Sequence, residues 1–403
     1  MKRIVFGVIA AVTLSVIVTA PSTAALKAGS TCKKAGLTTV DSGRKYTCVK
    51  QGKKFVWDKG VVVKAAPAKV PAPLPTPTPS AAPTPSQSST PEPPKPSSSP
   101  TFVEPVRAKS FDDVLQNSEG LTYWAWKLAQ ERKSNSGKVQ VEFIIDVGPN
   151  TQLNFPNPRQ VLQETADFYS KFEQVKKFHA VFFNYADLNW AIELDKKYSS
   201  NPRPDEVRKS CSSEELCNGA NAYVDGNLNG FTYITSSPKF ASEVVRKNGV
   251  LESHEYFHTI QFLPLMAAQA TGQKTAWMPD WIREGSAEWL STAMYFSDYS
   301  SLMMYQISRS EADLYSKRYS PTDISKILST NTGISDNGWL AYNVGGKAVE
   351  ILVVLKGVDS ILELYVEGSK GVPFEQAFEK IYGISWEKAK PILSAVISKK
   401  YRI

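Results

Sequence analysis

The pattern of hydrophobic and polar positions divides the chain into stretches of different character. An apolar run from Ile4 to Ala20 follows Lys2 and Arg3. Next come short alternating segments, KYTCVK and KKFVW, set off by SGR and QGKK. That alternation predicts strands joined by turns. Residues 65–107 are dominated by Pro, Ser, Thr and Ala and show no apolar period. They predict an extended, semi-rigid linker with polyproline character. A body begins near Phe111. In it, PNPRQVLQETADFYSKFEQVKKF predicts a helix with Pro158 near its start, HAVFFNY a strand, and ADLNWAIELDKKY a second helix. NGFTYITSS alternates as a strand, and the preceding YVDGNLNG reads as a hairpin turn. That turn lacks the acidic spacing of a calcium loop. After Lys239 nearly every apolar segment has helical spacing. The expected class is α+β, with a small mixed sheet, a mainly helical C-terminal part and no internal repeat.

Composition sharpens this division. The 403 residues are 42% hydrophobic and 11% aromatic, enough for a sizeable core. The apolar run of 17 residues, followed by PSTAA, predicts a cleaved export signal over residues 1–25. An uncleaved anchor is the alternative, at the short limit for a bilayer span. No later segment is long and apolar enough to cross a membrane. In an exported chain the four cysteines predict two local disulfides, Cys32–Cys48 and Cys211–Cys217. Charge is uneven: the net +8 of the chain sits in residues 26–64, while 108–403 carry −3. The expected order is a signal (1–25), a basic Cys-paired β module (26–62), the linker (63–107) and the body (108–403). The module resembles small Cys-paired modules of exported actinobacterial proteins. Its charge suits an anionic cell-wall polymer, or merely solubilises the chain. The expected location is secreted, with a wall-associated variant.

The body's chemistry is concentrated in LESHEYFHTI, residues 251–260, which holds two of only three histidines. On a helix His254 and His258 lie one turn apart on one face and can address one metal ion. Glu255 can then take a proton from a water at the metal, which is the logic of H-E-x-x-H. With histidine so scarce, chance matches number on the order of 0.001 per chain. A third ligand is needed. Gln261 and Pro264 stand where a longer motif would place Gly and His, and His179 lies upstream in an apolar strand-like stretch where it reads as structural. A carboxylate is therefore expected. PDWIREGSAEWLS, residues 279–291, offers Glu284 and Glu288 on one helix face, one for the metal and one to accept a hydrogen bond from a ligand imidazole.

Together these segments resemble the gluzincin metallopeptidases, the thermolysin and aminopeptidase N-like group, whose pattern is H-E-x-x-H followed by W-x-x-E-G-x-A-E. His254-Glu255-Tyr256-Phe257-His258 matches the first element, and Trp281 to Glu288 the second. The resemblance implies a zincin-like domain holding one Zn2+ through His254, His258 and Glu284, with Glu288 as partner of His254. AYNVGGKA, residues 341–348, is similar to a further segment of aminopeptidase N-like enzymes, which implies Tyr342 as the oxyanion donor. PFEQAFEKIYGISWEKAK resembles their helical tail, so the likeness spans about residues 165–400. The expected partner is a peptide or protein substrate, with no nucleic acid. Three features depart from the family. Glu252 places a charge on the motif's flank. The 25 residues between His258 and Glu284 imply a longer loop near the cleft. No G-x-M-E-N motif grips a free amino terminus, and NGFTYITSS stands in the expected edge strand, so an endopeptidase cleft pairing substrate along that edge stands beside an aminopeptidase as an equal alternative.

Overall fold

The computed structural model describes residues 30–31, 38–41, 44–52, 54–59, 61–62, 103–309, 319–329 and 339–400. The expected signal, nearly all of the linker, and Cys32 with its pairing to Cys48 lie outside the described residues. The chain divides into two units, 1–96 and 97–403. In the first, β1 (Thr38–Asp41), β2 (Arg44–Gln51), β3 (Lys54–Trp57) and β4 (Val61–Val62) form an antiparallel sheet around β2. Trp57 pairs with Cys48, and both Tyr46 and Cys48 are buried. Among the described residues of this unit, these are the two buried hydrophobic side chains.

The second unit is mixed α and β. Helix α1 (Leu121–Ser134) precedes β5 (Glu142–Val147), α2 (Pro158–Phe168), β6 (Lys177–Phe183), α3 (Leu188–Tyr198) and α4 (Pro204–Ser210). A hairpin of β7 (Ala220–Val224) and β8 (Gly230–Thr235) completes the sheet. Helices follow: α5 (Val250–Ala270), α6 (Asp280–Tyr295), α7 (Tyr299–Arg309), α8 (Pro321–Ser329), α9 (Trp339–Lys356), α10 (Asp359–Ser369), α11 (Phe374–Tyr382) and α12 (Trp386–Lys400). No described helix is long and apolar enough to cross a membrane.

The sheet runs β5-β6-β8-β7, with the first three strands parallel and β7 antiparallel to β8. Alternation splits β6 between two cores. Phe178, Ala180 and Phe182 face the large core shared with α5, and Val181 and Phe183 face a smaller one with α3 and α4. Burying such a side chain contributes about 1.5–3 kcal/mol. His179 lies on the smaller-core side, stacked between Phe231 and Tyr198 at 4.8 and 5.0 Å. The Asp225–Asn229 turn is closed by Asp225 Oδ1, which accepts from Asn227 N and Asn229 N at 3.0 and 2.8 Å.

Two expectations change here. Gly230–Thr235 is an inner strand, buried along its length, and the edge is Ala220–Val224. The alternation of NGFTYITSS does give a strand, but the edge position implied by the resemblance does not hold, and its polar groups are satisfied internally: Thr232 Oγ1 donates to Asn221 O and Tyr233 OH to Asp195. The body also begins before residue 108, since Arg107 donates to Val354 O at 2.8 Å and Pro105 O accepts from Trp124 Nε1 at 2.7 Å.

Helices α6 and α9 approach backbone to backbone. A Cβ on Gly285 would lie 2.2 Å from the Gly345 carbonyl carbon, and one on Gly345 would lie 1.9 Å from Trp281 O. Only glycine fits at either position without moving a helix. That contact carries Tyr342, at the start of α9, towards the α5–α6 pair.

Candidate metal centre

Helix α5 is buried on nearly every face from Val250 to Gln261, its polar Glu252, His254, Glu255, His258 and Gln261 included. Its His254 and His258, one turn apart, present their Nε2 atoms to one point, 3.1 Å from each other. Glu284 reaches the same point from α6: its Oε2 lies 3.2 Å from His258 Nε2 and 3.5 Å from His254 Nε2. Of the described residues, only these three form a buried His/Cys/Asp/Glu group with ligand atoms within 4.8 Å.

The outer side of each ring is also held. His258 Nδ1 lies 2.7 Å from Gln261 Oε1. The Gln261 amide donates to Arg283 O at 3.0 Å and to Ser286 Oγ at 2.8 Å, so its oxygen is the acceptor and His258 Nδ1 carries the proton. The Nε2 lone pair then faces inward. His254 Nδ1 faces Glu288 Oε2 at 3.5 Å, an arrangement of the same sense. Arg283 donates from Nε to the other oxygen of Glu284 at 2.9 Å and is itself held by Asp280 at 2.6 Å. Glu284 is thereby left one oxygen to turn towards the rings.

Two inward nitrogen lone pairs and a carboxylate oxygen at this spacing repel unless a cation lies among them. The electrostatics say the same. Burial opposes a charge on His254, yet contacts with Glu284 and Glu288 outweigh it and hold the imidazole up to about 10. Burial likewise opposes charge on Glu284, and His258, His254 and Arg283 hold it well below the usual carboxylate range. Two nitrogens and one carboxylate oxygen in this arrangement are a donor set that could hold a metal ion.

Glu255, also buried, lines the same open cleft of about 490 Å3 as His254, His258, Glu284 and Tyr342. Its carboxyl is raised by burial against the pull of both imidazoles. The Tyr342 ring lies 6.1 Å from that of His254. Burial and the nearby carboxylates of Glu284 and Glu255 raise its hydroxyl far above its ordinary value, so it remains a donor. Along one wall of the cleft runs β7, Ala220 to Val224, which among the described residues pairs with β8 on one side only.

All six side chains singled out from the sequence thus meet at one place. Gln261 and Arg283 were not anticipated as parts of it. For Gln261 a signal was available, since it stands three residues after His258 on the same helix face; Arg283, adjacent to Glu284 in sequence, offered none. The Glu252 charge on the flank is opposed by burial, which pushes its carboxyl up to about 8. The 25-residue spacing is not one long loop either: α5 continues past Pro264 to Ala270, leaving only residues 271–279 as a connection. Away from the centre, Cys211 and Cys217 form the expected disulfide, buried in the smaller core. No protein-family model matches the chain, and no curated protein matches it.

Proposed function

We propose that the chain is a secreted, zinc-dependent peptidase with a zincin-like body. The observation that carries this reading is the convergence of His254 Nε2, His258 Nε2 and Glu284 Oε2 in a cleft that also holds Glu255 and a free strand edge. A bound zinc ion would supply Lewis acidity to a scissile carbonyl and lower the pKa of attacking water. Glu255 takes the proton from that water and delivers it to the leaving amine. Tyr342 donates its hydroxyl to the oxygen on which charge develops. Gln261 and Glu288 hold the two imidazoles in the tautomer that leaves Nε2 free. The open edge of β7 pairs with the backbone of an extended peptide, a mode suited to cutting within chains.

Hydrolysis of a mixed peptide pool tests the reading. A chelator should abolish it and added zinc should restore it. If zinc is taken up and no peptide is cut, the body is a non-catalytic scaffold or acts on another bond. Gln261→Leu and Glu288→Ala are each expected to weaken zinc about 10- to 100-fold without abolishing binding. Competition with a chromogenic chelator measures this, and unaltered affinity in either variant rejects that residue's orienting role.

The N-terminal unit exposes Lys50, Lys54 and Lys59 within a strongly basic stretch. It is proposed to hold the enzyme at an anionic wall polymer. Binding to isolated wall should fall sharply when residues 26–64 are removed, and undiminished binding rejects this role.

A further inference from the structure

Away from the metal centre the cleft reaches the start of α4, where Arg203 and Glu206 line it. Arg203 is exposed, yet it is held at two points. Its backbone N donates to Asp195 Oδ2 at 2.6 Å, and its guanidinium lies over the Tyr223 ring, 4.6 Å from the centroid. Asp195 is fully buried. Its other oxygen accepts from the hydroxyl of Tyr223 and, at 3.0 Å, from that of Tyr233. One carboxylate thus fixes both the arginine backbone and the ring beneath its side chain. A guanidinium stacked by its face keeps its N–H donors in its own plane, directed outward past the rim of the ring.

The support under Arg203 is equally firm. Val207 of α4 is buried in the smaller core, and Cys211, directly after the helix, is tied to Cys217. Asn221 Nδ2 of β7 donates to Ser210 Oγ of α4 at 2.8 Å. Asn221 and Tyr223 therefore share the face of β7 turned towards α4, while Val224 packs into the large core shared with α5. Among the described residues no carboxylate forms an ion pair with the Arg203 guanidinium. Glu206, one helical turn on, accepts instead from Lys209 Nζ at 2.7 Å.

From this geometry we infer that Arg203 is a specificity determinant that takes a carboxylate of the bound peptide on the α4 side of β7. The inference rests on the peptidase reading and names the substrate class of that same site. A peptide paired to the open edge of β7 lies about 4.8 Å from it, with successive side chains on opposite faces. One set points to the side of α5. The other points as Tyr223 does and meets the Arg203 guanidinium. A carboxylate there accepts two parallel N–H bonds from the outer edge of the fork, and such bonds are stronger than neutral ones. A lysine or arginine side chain at the same place meets like charge. The carboxylate is that of an Asp or Glu side chain or of the peptide's own C-terminus.

A mixed peptide pool first locates one cut site. Matched peptides then carry Glu, Gln or Lys at each position around it, with a free or an amidated C-terminus. The full chain is assayed on them beside Arg203→Ala and Arg203→Glu. At one position Glu should exceed Gln about tenfold in kcat/KM, mainly through KM. Arg203→Ala should erase that ratio, and Arg203→Glu should turn the preference towards Lys. If the tenfold ratio instead separates free from amidated termini, and Arg203→Ala erases it, the carboxylate recognised is the terminal one. A wild type that distinguishes neither Glu from Gln nor free from amidated termini overturns the inference and leaves the peptidase reading standing. So does a preference unchanged in Arg203→Ala. Absence of any cleavage by the wild type overturns both.

Discussion

Glu255→Gln is expected to lower peptide hydrolysis by about 10²- to 10⁴-fold while zinc binding stays intact. The substitution keeps the shape and burial of the side chain and removes only its ability to accept and return a proton. Glu255 is not among the groups that converge to hold a metal, which are His254, His258 and Glu284. Loss of turnover with retained metal therefore separates the base from the ligands. The effect should fall on kcat, with KM nearly unchanged, because the proton transfer belongs to the reaction and not to substrate binding. A variant that hydrolyses as well as the wild type removes Glu255 from the mechanism. One that also loses zinc shows that its carboxylate supports the metal instead.

A comparably large effect, on stability, is expected at Glu350. This carboxylate is 1% exposed and lies on α9, the helix that carries Tyr342. Oε1 accepts from Thr122 Oγ1 of α1 and from Lys400 Nζ of α12, both at 2.7 Å. Oε2 accepts from Trp289 Nε1 of α6 at 3.2 Å and from Lys347 Nζ at 3.4 Å. One buried group thus pins α9 to three other helices. Burial alone would raise its pKa, but Lys347 and Lys400 outweigh it and hold the carboxyl at about 2. Glu350→Ala strips the counter-charge from the buried Lys347 ammonium and the partly buried one of Lys400 and should cost about 3–5 kcal/mol. The sign with pH follows from the lowered pKa. The folded chain binds this proton less readily than the unfolded one, whose ordinary value is 4.5. The stabilisation is fully present above about pH 4.5 and is lost as the pH falls towards about 2. Urea unfolding of wild type and Glu350→Gln across that range measures it. Their difference in stability should be largest at neutral pH and shrink on acidification. A difference independent of pH would show that the carboxylate's charge contributes nothing.

How much of this was legible in the sequence depended on the range of the interaction concerned. The α5 ligands and Glu255 follow from spacing within one helix, a local property. Glu284 and Glu288 followed from chemistry, because scarce histidine forced a carboxylate and one amphipathic helix offered two. The sheet's edge did not follow. Strand order is set by long-range pairing, and the edge position came from the resemblance alone; the polar side chains of β8 are satisfied by Asn221 O, Asp195 and Gly219 O. Gln261 was noticed only as the wrong residue for a longer motif, yet it holds His258. Gly285 and Gly345 lay in plain view inside the matching segments, but their contact joins helices about sixty residues apart and is visible only after folding.

The central claim is that His254, His258 and Glu284 together hold one zinc ion. Calorimetric titration of the purified chain with zinc tests it most directly. One site per chain is expected in the wild type and in Glu255→Gln, with binding abolished in His258→Ala and Glu284→Ala that remain folded. A wild-type chain that takes up no zinc, or a folded Glu284→Ala that binds it as tightly as the wild type, contradicts the account.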